Sequence, residues 1–158
     1  MWSFMITCYI MMLSNFLIIL LTGLMGYFKF TVWGAAHAPF AVFAIIVFIL
    51  TETLVMFFFI ATGKSIKQMI RHDHRFIEYW EQTISVKKQV FPQIILTITL
   101  IGILFIHGGV IDNGLPFSWL HGPLFILAFL QHTWSLIIKN RSFRQQITIA
   151  AEISKELE

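Results

Sequence analysis

Four long apolar runs, separated by short polar or turn-rich segments, dominate the hydrophobic pattern of this chain. They extend from about Trp2 to Tyr27, His37 to Gly63, Val90 to Ile106 and Trp119 to Ile138. A helix rises about 1.5 Å per residue, so the third run, the shortest, is near the minimum that crosses about 30 Å of hydrocarbon. The second is long enough to tilt or to project beyond the bilayer core. Continuous apolar runs of this length satisfy their backbone in lipid only as helices. The pattern predicts an all-α integral membrane protein, four transmembrane helices in an up-down bundle, forming one domain over residues 1–158. The first run lacks a basic leading region and exceeds the core of a secretory signal, so it reads as a retained span.

Composition agrees with lipid as the solvent. Of 158 residues, 58% are hydrophobic and 12% charged, about half the charged fraction of a soluble domain. A single cysteine, Cys8, excludes an intrachain disulfide framework and a cysteine-ligated zinc or iron–sulfur centre. The net charge of +3 is unevenly distributed. Lys64, Lys67, Arg71, Arg75, Lys87 and Lys88 lie between the second and third spans, and Lys139, Arg141, Arg144 and Lys155 follow the fourth. The opposite segments hold Lys29 alone. The positive-inside rule then predicts cytoplasmic termini and a cytoplasmic loop over residues 64–89.

Within that loop Ile66, Ile70, Ile77 and Trp80 recur at roughly helical spacing, as in a helix lying on the headgroups. The tail, 142–158, aligns Phe143, Ile147, Ala150, Ile153 and Leu157 on one side of an amphipathic helix, a stripe that wants another subunit or the membrane surface as partner. The expected partners are therefore the lipid bilayer and other membrane subunits or further copies of the chain. Nothing in the pattern points to nucleic acid.

Predicted orientation sorts the histidines. His37, His107 and His121 fall at span ends on the outer side, beside Gly34, Gly108, Gly109 and Gly122. In a four-helix bundle the second and fourth helices face each other across the core, where side chains build cofactor sites. Imidazoles there suit haem b, or a copper, iron or zinc ion, with Asp112 as a further ligand or as acceptor for a histidine. The absence of CxxCH excludes covalently attached haem. His72-Asp73-His74 has metal-like spacing but sits among loop charges.

A second layer lies deeper. Glu52 is an acid near the middle of a span, where ionisable residues are costly and mark functional sites. It follows His37 by about 22 Å of helix, and His132 on the antiparallel-reading fourth span reaches a similar depth. Glu52 and His132 are therefore expected to form an intramembrane polar pair, with Asn15, Thr51 or Gln131 nearby. His121, Ala128, His132 and Ser135 share one face of the fourth helix, the side expected to meet other helices. Gly23 and Gly26 are expected to permit close helix approach. The functional expectation is a small redox-associated membrane subunit of a larger respiratory or oxidase-like complex, more an electron-transfer or accessory component than a stand-alone enzyme. The alternatives are a non-catalytic scaffold subunit and a proton-coupled transporter using Glu52.

Overall fold

The computed structural model describes residues 2–72, 76–112, 114 and 116–156, apart from the side chains of residues 70–72 and 112. Four helices carry almost all of it: α1 (Trp2–Phe28), α2 (His37–His72), α3 (Ile77–Asp112) and α4 (His121–Glu156). Each is long and apolar enough to cross a membrane. A 3-10 turn at Ser118–Leu120 leads into α4. Between α1 and α2 the chain reverses at Trp33-Gly34, both at positive φ (51° and 77°), closed by the Val32–Ala35 bridge. Glycine at Gly34 meets that left-handed requirement without a Cβ penalty.

Contacts at both ends of each helix pair fix the arrangement. Phe4 packs on Phe57 and Phe58 while the Thr22 carbonyl meets His37, so α1 and α2 run in opposite directions. Gln131 bonds Gln93, and Tyr79 bonds Glu156, so α3 and α4 do likewise. Tyr9 bonds Asn140 and Phe16 stacks near His132, closing α4 back onto α1. The interior follows from heptad-like spacing. Met5, Cys8, Met12, Asn15 and Ile19 on α1 recur at intervals of three and four residues and are all buried. Large apolar residues off those stripes, among them Ile46, Leu50, Phe57, Leu127 and Leu130, are exposed. Such a surface would be unsound in water and is the surface that hydrocarbon accepts.

Two sequence expectations change. The expected loop over residues 64–89 is mostly helix, because α2 continues to His72 and α3 begins at Ile77. Lys64, Lys67, Glu78, Glu81 and Lys88 are exposed on a helical extension in which Ile66, Phe76 and Val86 continue the buried stripe. Trp80 receives Lys67 and Lys87 at 5.6 and 5.7 Å from its ring centre, which gives two cations a helical anchor. Residues 142–156 of the tail are likewise no separate helix but about the last four turns of α4. Phe143, Ile149 and Ile153 are buried in one cluster with Phe58, Phe59, Phe76, Val86 and Val90. Ile147 packs against that cluster, so the stripe finds its partner within the chain. Leu157, Asp73, His74 and Arg75 lie outside the described residues, as do the side chains of Arg71 and His72.

Candidate functional site

At the end of the bundle where α2 and α4 begin and α3 ends, the helices open into a cavity of about 760 Å³. Its walls come from all four helices. Ile19, Thr22, Gly23 and Gly26 contribute from α1, and His37, Ala41 and Phe48 from α2. Leu104, Gly108 and Gly109 line it from α3, with His121, Gly122 and Phe125 from α4. Glycine matters at two of these positions. A Cβ on Gly23 would lie 2.0 Å from Cζ of Phe125, and one on Gly26 3.0 Å from Cε1 of His37. The glycines thus admit side chains from the facing helices rather than only bringing backbones together.

His37, His107 and His121 do converge on this end. The His37 and His121 rings are 6.3 Å apart, centre to centre, and nearly perpendicular at 88°. His107 stacks on the other flank of the group, 5.8 Å from His121 at 25°. His121 is thus the ring that both of the others contact. Among the described residues no group of three or more His, Cys, Asp or Glu is placed to hold a metal ion. The Asp112 side chain lies outside the described residues. Nδ1 of His37 is 3.0 Å from the Thr22 carbonyl oxygen. A carbonyl only accepts, so that contact makes Nδ1 the protonated nitrogen and leaves the Nε2 lone pair available. Both nitrogens of His107 are buried without a hydrogen-bond partner among the described residues.

Deeper in the bundle, Glu52 and His132 are both fully buried. The partner of Glu52 is a residue that the sequence pattern assigned to the charged end of the tail. Lys139 donates from Nζ to Oε1 of Glu52 at 2.5 Å, and both side chains are completely enclosed. His132 instead sits between the rings of Phe16 (6.3 Å) and Phe48 (5.9 Å), and neither of its nitrogens is bonded among the described residues. Thr51 donates to its own helix at Val47, and Gln131 pairs with Gln93 across α3. Asn15 is buried with neither end of its amide partnered.

The face of α4 that begins with Ala128 and His132 continues with Ser135, Lys139, Ser142 and Gln146, every one fully buried. Intervals of three and four residues keep them on one side of the helix. The signal for Lys139 was therefore present in the sequence, seven residues after His132. The most apolar 18 residues of α4 have a mean hydropathy of 1.2, against 2.3 to 2.6 for the corresponding stretches of the others, in keeping with its polar interior face. Comparison of the chain with protein-family models, with curated proteins and with solved structures returns no match.

Proposed function

We propose that this chain is a small multi-pass membrane subunit that binds haem b at the outer ends of its helices, held by His37 and His121. One observation carries the reading: two imidazoles on facing helices, 6.3 Å apart at the wall of a large apolar cavity. His37 and His121, on facing helices at one end of the bundle, are the residues that would hold the haem. The cavity volume falls within the range of about 300–1,000 Å³ usual for small-molecule and cofactor sites. Thr22 fixes the tautomer and orientation of His37, as a carbonyl beside a ligating histidine does.

Bound there, haem would supply one-electron transfer. The chain's own contribution is to orient two imidazoles, to line the pocket with apolar walls and to leave room through Gly23 and Gly26. His107, stacked on His121, is a neighbour of the pair and not a member of it. A bare copper, iron or zinc ion finds less support than haem, because among the described residues no three such groups are placed to hold a metal ion. The weight of Lys and Arg assigns the α2–α3 hairpin and the end of α4 to the cytoplasm. Such a subunit would serve a larger respiratory or oxidase-like assembly.

The test is a reduced-minus-oxidised visible spectrum and iron analysis of protein purified from haem-replete cells. A Soret and α-band signal with stoichiometric iron is expected. It should be lost in His37→Ala and His121→Ala and retained in His107→Ala. No signal and no iron in the wild-type protein would refute the reading and leave the accessory-subunit alternative. A transporter built on Glu52 would instead show substrate-dependent proton flux in vesicles that Glu52→Gln abolishes.

A further inference from the structure

The polar face of α4 is more than a fastening. His132, Ser135, Lys139, Ser142 and Gln146 extend over about 21 Å of helix, and all are fully buried. Besides them, Asn15 on α1, Glu52 on α2 and Thr83 on α3 are also fully buried. To these groups the described residues supply one hydrogen bond, from Lys139 to Glu52. Both amide ends of Asn15 and of Gln146, both nitrogens of His132, the hydroxyls of Ser135, Ser142 and Thr83, and Oε2 of Glu52 find no partner among the described residues. A single orphaned polar group costs about 1–3 kcal/mol, so a contiguous set of them is not a dry core. Groups of this kind are met by internal water, which makes two to four hydrogen bonds at each such position.

The two ends of the set differ. The contacts Gln131–Gln93 and Tyr79–Glu156 put Thr83 at the level of Gln146. There α2 offers Gly63, where a Cβ would lie 2.1 Å from Nζ of Lys87 and 3.3 Å from Cγ2 of Thr83. A bare backbone with an ammonium group across it is a polar mouth. At the other end Phe48 closes the file. Its ring meets His132 on one side and lines the outer cavity on the other. Beside it, Ile19, Ile101 and Ala128 complete an apolar plug.

We propose that these residues enclose a file of internal waters, a proton inlet that opens at Gly63 and Lys87 and ends at Glu52 and His132 beneath the cavity. A proton drawn from bulk water passes along the hydroxyls and amides to Oε2 of Glu52. That carboxylate becomes a carboxylic acid while Lys139 keeps its three protons. The titratable and charged groups facing the file are Glu52, Lys139, His132 and, at the mouth, Lys87. The inlet does not depend on what occupies the outer cavity.

Silver ion, which reacts with thiolate and travels only where water does, tests the file. In a Cys8→Ala background reconstituted into liposomes, Ser135→Cys and Ser142→Cys should react about 100-fold or more faster than Ala128→Cys, since the reactive thiolate forms only where water reaches the sulfur. Gln146→Leu, placed in the same background, should slow both. Equal protection of all three cysteines, or indifference to Gln146→Leu, overturns the inlet. In the unsubstituted protein, ¹⁵N solid-state NMR should show magnetisation passing rapidly from water to the Lys139 and His132 side chains. Transfer no faster than to the amides around Phe48 would also overturn it.

Discussion

Replacing Lys139 by methionine should be one of the most damaging single changes in the chain, and replacing Glu52 and Lys139 together should be among the mildest. At 2.5 Å, with an effective dielectric constant near 20, the gross attraction between two unit charges is about 7 kcal/mol. Taking two ions out of water costs several kcal/mol each, so the pair as a whole contributes little net stability. With one partner removed the cost of burying the other remains unopposed, and losses of about 3–5 kcal/mol follow. Lys139→Met should therefore lose stability in that range, while Glu52→Leu/Lys139→Leu should lie within about 1 kcal/mol of wild type or be more stable. Titration of the micellar protein with sodium dodecyl sulfate, followed by tryptophan fluorescence, measures each member of the double-mutant cycle. Additive losses in the double variant, or a loss below about 1 kcal/mol for Lys139→Met, would refute a mutually dependent buried pair.

Four further changes read out other parts of the structure. Gly23→Ala drives a methyl group into the rigid ring of Phe125 and should cost about 1–3 kcal/mol in the same titration, with recovery in a Gly23→Ala/Phe125→Leu double variant. Gly63→Ala meets only the flexible end of Lys87 and Thr83, so the melting curve should be almost unmoved. Phe143→Ala removes a ring packed on Tyr9, Phe58 and Phe59 and should cost about 3–5 kcal/mol. Tyr9→Phe deletes the 2.7 Å bond to Asn140; about 0.6 kcal/mol, the average for such bonds between membrane helices, should be lost without change in the visible spectrum.

Hydropathy alone reveals the four helices, because a run such as Val90 to Ile106 has no stable alternative in lipid. Their full lengths are less visible. Lys64, Lys67 and Lys87 resemble loop charges, yet lysine is a good helix former and its stem can pack on Trp80 while its charge stays outside. The grouping of His37, His107 and His121 follows from topology, since all three lie at the same end of their helices. Their separations and angles depend on side-chain packing around Gly23 and Gly26, which no spacing rule conveys. The deeper site was half legible. Glu52 stood out as an acid without a partner, and His132 matched it in depth. The choice of Lys139 turned on whether a lysine at the edge of an apolar run faces headgroups or a buried carboxylate. Hydropathy cannot distinguish those two, whereas the seven-residue spacing from His132 does.

The separation of Glu52 and Lys139 along the chain, 87 positions, has a consequence for biogenesis. The ribosome delivers α2 to the membrane long before α4 exists, so the acid must enter hydrocarbon alone. An ionised residue at mid-span costs an inserting helix roughly 2.5–3.5 kcal/mol, and α2, with the highest mean hydropathy of the four at 2.6, has the apolar surplus to absorb it. Helix α4 arrives with less surplus, at 1.2, and with a lysine, a histidine, two serines and a glutamine on one face. It gains a compatible environment only by docking onto helices already in place. The order of synthesis is thus also an order of dependence: α1 to α3 form the receptor, and the last helix is integrated by the charge that waits for it.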